Sequence, residues 1–136
     1  MAGAPIELLQ LVPLFAELDR PELEQIARLF KERRFARGDT VIMEGSGGAA
    51  FFLIASGEAS VLVGGAERPL LQSGDYFGEI ALIDEGRRSA TITASSELLC
   101  YGLTFWEFRP LVEGNGTIAW KLLQSLAKKL RAAQAD

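Results

Sequence analysis

From Arg33 to Leu103 the chain breaks into short apolar runs separated by glycine-bearing turns, and this punctuation constrains the fold more than any other feature. Arg33-Arg34-Phe35 leads to a turn at Arg37-Gly38-Asp39, and Thr40 to Met43 leads to another at Glu44-Gly45-Ser46-Gly47-Gly48. Ala50 to Ala55 and Glu58 to Val63 meet at Ser56-Gly57. Gly64-Gly65 is a tight-hairpin signal before a return strand from Glu67 to Leu71. Farther on, Ser89 to Ala94 and Glu97 to Leu103 are expected to pair across Ser95-Ser96. Many strands of this length with regular turns indicate a β-sandwich or barrel.

Both ends of the chain read as helical. Ile6 to Leu11 forms a short turn that ends near Pro13. Asp19-Arg20-Pro21-Glu22 is a helix start: an N-cap acid, a first-turn proline and an acid three residues on. Leu23, Ile26, Ala27 and Phe30 then make one apolar face, with Arg28, Lys31 and Glu32 facing away. Thr104 caps a helix over Phe105 to Val112 that stops around Gly114, and Asn115 or Thr117 caps a last helix to about Ala133. Ile118, Leu122, Leu126 and Leu130 step along that helix, with Trp120 and Leu123 beside them. Lys128, Lys129 and Arg131 suit the negative end of its dipole and otherwise read as a solvated face. The expected fold is mainly β: an antiparallel β-roll, a jelly-roll-like barrel of about eight strands, with N-terminal helices and two C-terminal helices. One domain spans 1–136, divided into helices (1–32), β-roll (33–103, with a central corner at 75–91) and helices (104–136).

Composition removes several classes of function. With no histidine, a cupin-type metal site, histidine-ligated haem and most Ser-His or Cys-His nucleophiles are excluded. The lone Cys100, inside Leu98-Leu99-Cys100-Tyr101, cannot form an internal disulfide and reads as a buried, inert thiol. A net charge of −4 argues against non-specific nucleic-acid binding, yet it permits one local positive pocket. No apolar run has the length of a membrane span, and the N-terminus lacks a basic region followed by an apolar one. The expectation is a cytoplasmic, non-enzymatic protein without metal or cofactor, acting away from membranes.

The chemistry concentrates between Asp75 and Thr91. Gly78 lets a ligand approach the backbone closely. A helical turn beginning near Glu79 directs free N–H groups at whatever sits there. Arg88 offers a planar fork suited to two phosphate oxygens, and Ser89 adds a hydroxyl. Glu79 is out of place beside an anion unless the ligand also carries a hydroxyl, because a carboxylate only accepts. A ribose phosphate satisfies both demands. The alternative is a structural Arg88–Glu79 ion pair.

The stretch resembles the phosphate-binding cassette of the cyclic nucleotide-binding domain, the module of catabolite activator proteins, cyclic-nucleotide-gated channels and kinase regulatory subunits. That pattern, Phe-Gly-Glu-(Leu/Ile)-Ala-Leu and then Arg-(Ala/Ser/Thr)-Ala-Thr, stands here as Phe77 to Leu82 and Arg88 to Thr91. Gly38, Glu44-Gly45 and Ser56-Gly57 occupy the family's turn positions. Arg87 departs from it, since members often carry proline there. The resemblance implies a ligand set of Phe77, Gly78, Glu79, Ile80, Ala81, Arg88, Ser89 and Ala90. Arg88 would bind the cyclic phosphate and Glu79 would accept from the ribose 2′-OH. The Gly78 and Ala90 amides and the Ser89 hydroxyl would complete the cradle.

It also implies a last helix that closes over the base. Laid ungapped from the cassette, the catabolite activator pattern puts its base-contacting Thr-Ser pair on Ala133-Gln134, which does not match. Leu130, Arg131 and Gln134 remain as the lid candidates. Family frequency favours cAMP over cGMP, although Ser89 also permits a bond to the guanine amino group. The output would pass to an effector protein in trans or to a neighbouring domain. The apolar last helix either pairs with a second copy or simply covers the barrel. A ligand-free interaction scaffold of the same fold is the competing reading, and it expects Arg88 to be held by Glu79 or another carboxylate. An enzyme on the same scaffold lacks both histidines and clustered carboxylates.

Overall fold

The longest apolar run of the chain becomes a strand whose two faces are both covered. In the computed structural model, which describes residues 3–48, 50–84 and 86–135, that strand is β4 (Ala50–Ser56). The other strands are β1 (Lys31–Phe35), β2 (Thr40–Ile42), β3 (Gly47–Gly48), β5 (Ala59–Val63), β6 (Ala66–Leu71), β7 (Tyr76–Phe77), β8 (Gly86–Arg87), β9 (Thr91–Ala94) and β10 (Leu98–Thr104). They form one sheet in the order β1-β10-β4-β7, a second in the order β2-β9-β5-β6, and a ribbon of β3 with β8. Every pairing is antiparallel.

Phe52 and Ile54 of β4 point into a core between the sheets, where they meet Phe77, Ile92, Ala94, Leu98 and Cys100. Phe51 and Leu53 point the other way, into a core roofed by helices. A strand dry on both faces has no reason to alternate in sequence, whereas β9, wet on one side, does. The expected jelly-roll-like architecture is present, but no ladder closes the two sheets into a barrel among the described residues. The core between them holds them together.

One expected pairing does not form. The run from Ser89 to Ala94 and the run from Glu97 to Leu103 do not make a hairpin across Ser95-Ser96. Instead β9 lies between β2 and β5, and β10 lies between β1 and β4. Ile92 and Ala94 face Leu98 and Cys100 across the sandwich, so the link must carry the chain from one sheet to the other. Ser95 N–H donates to Glu58 O at 2.9 Å and Ser96 Oγ accepts from Glu58 N–H at 3.0 Å, which ties this crossing to the β4–β5 turn.

The helices follow the sequence reading closely. They are α1 (Ile6–Leu9), a 3₁₀ turn (Pro13–Phe15), α2 (Arg20–Ala27), α3 (Phe105–Glu113) and α4 (Gly116–Gln134). Asp19 and Glu22 form a reciprocal capping box on α2, and Thr104 and Glu107 form one on α3. Asn115, not Thr117, caps α4 by accepting from Ile118 N–H at 3.1 Å. Phe15 and Phe30 meet Phe51 edge-on at 6.1 and 5.9 Å, joining the helical layer to the sheet. Lys31 and Glu32 belong to β1, not to the outer face of a helix, because the ladder with β10 continues to the pair Lys31–Gly102.

The stripe along α4 leaves the core as it proceeds. Ile118 and Leu122 are buried, Leu126 is half-buried and Leu130 is 60% exposed. The basic residues of α4 are not merely solvated. Lys121 Nζ lies 2.7 Å from Glu22 Oε1, and Lys128 Nζ lies 2.7 Å from Glu17 Oε2. No helix among the described residues is long and apolar enough to cross a membrane.

Candidate functional site

The corner is entered from β7, whose Phe77 ring stacks on Phe52 at 5.2 Å and fixes the approach. Gly78 then turns the chain with φ +84°, a left-handed conformation that favours glycine. A 3₁₀ turn, Glu79–Leu82, follows where the sequence places a helical turn. Ala81 and Leu82 are buried beneath it, while Ile80 is half-exposed.

Arg88 reaches this corner by way of the glycine ribbon. Its N–H donates to Ser46 O at 2.8 Å, and its carbonyl accepts from Gly45 N–H at 2.8 Å. The side chain is partly buried, and Nη2 donates to Ala50 O at 2.6 Å. A Cβ built on Gly48 would run into Arg88 Nε, and one on Gly78 would lie 2.9 Å from Nη1. The guanidinium therefore rests between two glycines, each of which must lack a side chain for it to fit. No carboxylate among the described residues pairs with it, so the expected alternative of an Arg88–Glu79 ion pair does not occur there. Burial alone pushes the Arg88 pKa down. A half-buried cation without a carboxylate partner among the described residues, with N–H groups to spare, can receive an anion.

Glu79 is largely buried at 18% side-chain exposure, and its carboxylate faces Lys129 Nζ of α4 at 3.9 Å. Ser89 is exposed and Ala90 half-buried, both in the bend between β8 and β9. The fold thus brings Phe77, Gly78, Glu79, Ile80 and Ala81 to one corner with Arg88, and places Ser89 and Ala90 next to it along the chain. The lid candidates Leu130, Arg131 and Gln134 all stand exposed on the final turns of α4. Among the described residues no cluster of three or more His, Cys, Asp or Glu side chains could hold a metal ion.

Residues 32–115, more than half of the chain, match the model of the cyclic nucleotide-binding domain. The chain belongs to the cyclic nucleotide-binding domain family. It is 40% identical over 92 residues to a cAMP-dependent protein kinase regulatory subunit of Emericella nidulans, covering 66% of this chain and 22% of that protein. It is 33% identical over 129 residues to the cyclic AMP receptor protein of Thermus thermophilus, covering 91% of this chain and 60% of that one. The chain thus spans less than two thirds of the length of these curated relatives. The crystal structure of the N-terminal domain of a transcriptional regulator from Streptomyces coelicolor superposes with a TM-score of 0.86 at 27% identity, covering 93% of this chain and 92% of that one.

In this cyclic nucleotide-binding domain the sequence reading missed three participants. Gly48 reads as one more turn glycine, and only the crossing of the ribbon beneath Arg88 shows why it lacks a side chain. The Ala50 carbonyl carries no signal in sequence. Lys129 reads as a dipole complement, whereas it faces Glu79 from 50 residues farther along the chain.

Proposed function

We propose that this chain binds a cyclic mononucleotide without catalysis and acts as a regulatory sensor. The observation that carries this reading is the Arg88 guanidinium, half-buried between Gly48 and Gly78 with no carboxylate partner among the described residues. Arg88 neutralises the cyclic phosphate, and Glu79 accepts from the ribose 2′-OH. The Gly78 and Ala90 amides and the Ser89 hydroxyl complete the cradle, with Phe77, Ile80 and Ala81 shaping its walls. cAMP is favoured over cGMP, because the relatives described above carry cAMP in their names. The end of α4 closes over the base, using Leu130, Arg131 and Gln134, which lie where the helix has already left the core. A ligand can drive that closure only by binding the closed arrangement better than the open one. The output passes to an effector in trans or to a neighbouring domain, and a second copy of the chain seats along α4.

The test is thermal unfolding of nucleotide-free protein with and without millimolar cAMP or cGMP. Binding to the folded state alone adds roughly 2.7 kcal/mol at a hundredfold excess over Kd, a rise of several degrees in Tm. Arg88→Ala should abolish the shift while the fold survives, since losing one partner of a desolvated charged pair costs about 2–5 kcal/mol of affinity. No shift with either nucleotide would favour the ligand-free scaffold.

A further inference from the structure

Three observations meet behind Glu79. Its carboxylate is the acid that faces Lys129 Nζ, at 3.9 Å. A cavity of about 10 Å³, the volume of one water-sized sphere, is walled by Glu79, Ser125 and Lys129 together with Pro13, Leu14 and Ile83. Ser125 is buried at 8% exposure, and its Oγ has no hydrogen-bond partner among the described residues. A buried hydroxyl left unpaired is unusual, and here its residue is one of those that wall the cavity. The back of Glu79 is therefore built by α4, although its front belongs to the β-roll corner.

We infer that Lys129 is a positioning residue for the ribose site: from α4 it holds the Glu79 carboxylate turned to accept the 2′-hydroxyl, which links sugar recognition to the seating of that helix. The inference rests on the proposed reading of Glu79 as the ribose acceptor. A carboxylate has about four lone-pair sites, so Glu79 can face a cation behind and accept a hydroxyl in front. An acceptor fixed by a cation loses less freedom on binding than one that must be ordered by the ligand. The pair spans the joint between the β-roll and the helix proposed to move, so each state of α4 presents a different Glu79.

The contribution of Glu79 is isolated by comparing affinities for cAMP and 2′-deoxy-cAMP in the full chain. A hydrogen bond to a charged acceptor predicts a ratio of about tenfold or more in the wild-type protein. Lys129→Met should cut that ratio to about threefold or less, and Lys129→Arg should restore it, a pattern that a merely structural lysine would not produce. Lys128→Met, which removes the neighbouring cation that pairs with Glu17, should leave the ratio unchanged. A wild-type ratio that persists in Lys129→Met overturns this inference and leaves the ribose reading standing. A wild-type protein that binds both nucleotides equally, or neither, overturns the ribose reading itself and this inference with it.

Discussion

The two glycines that flank Arg88 should fail in different ways when a methyl group is added. At Gly48 the three atoms nearest the new Cβ all belong to the Arg88 guanidinium, the end of a flexible side chain, and the backbone there has no positive φ. Gly48→Ala should leave Tm within a few degrees of wild type but displace the guanidinium, weakening cAMP binding by about tenfold or more. At Gly78 the Cβ lies 2.8 Å from the Ala50 carbonyl, which cannot yield, and φ is +84°. Gly78→Ala should therefore cost about 2 kcal/mol of stability in addition to affinity. Paired melting and titration experiments separate the two cases; unchanged affinity in Gly48→Ala would show that Arg88 does not work from this position. Cys100 makes a third test at this scale. Burial pushes its thiol up to about 12, against a smaller downward pull from Arg33, so native protein at pH 8 should resist iodoacetamide and react only on unfolding. Arg88, Glu79 and Gly78 were legible in sequence because their chemistry is odd for a turn. Gly48 was not, because a glycine's reason lies in what crosses above it.

Caps were the most legible elements, since each is decided within a few residues. Thr104 and Glu107 form their box as spaced, and the fold then adds Lys31 of β1, whose Nζ lies 2.8 Å from Glu107 Oε2. Burial pushes the Glu107 carboxyl up, but hydrogen bonds from Lys31 and Thr104 outweigh it and hold the group below its ordinary 4.5. A carboxyl with a depressed folded value stabilises fully above about 4.5 and loses that contribution as pH falls through its folded value. Glu107→Gln should flatten this acid limb when denaturant unfolding is compared at pH 7 and pH 3. At pH 7 it should cost no more than about 1 kcal/mol, because glutamine still accepts from Thr104 N–H and only the partly exposed pairing with Lys31 is lost. Equal acid sensitivity in the variant would place the titration elsewhere. Strand pairing was less legible for the opposite reason. Nothing local in Ser95-Ser96 reveals whether the chain turns back on itself or crosses to the facing sheet. That choice is made by Ile54, Ala59 and Phe77, which arrive from elsewhere in the chain to fill the core between β9 and β10.

At the scale of the whole molecule, α4 carries two apolar faces and the domain uses only one. Ile118, Leu122 and Leu126 settle on the helical core. Trp120, Leu123, Ala127, Leu130 and Gln134 lie along the other side, spaced alternately three and four residues apart, and all are exposed. That alternation is the seam of a two-stranded coil, in which each helix sees the same residues on its partner. Charge does not oppose the pairing. The helix contains no acid, but Lys121, Lys128 and Lys129 already face Glu22, Glu17 and Glu79 of their own chain, which leaves Arg131 as the cation beside the seam without a carboxylate among the described residues. The proposed second copy therefore meets a nearly neutral, self-complementary stripe whose far end holds the candidate lid. Pairing and lid closure would then act on one helix, and a nucleotide could reach a neighbouring effector through the symmetry of the pair. Sedimentation equilibrium at about 100 µM should show a dimer for the wild type. A Leu123→Glu, Leu130→Glu double variant should be monomeric but folded, with a Tm that no longer rises with protein concentration, because each side chain is more than half exposed within one copy and like charges would face each other across the seam. A monomeric wild type would return the stripe to the role of a lid alone.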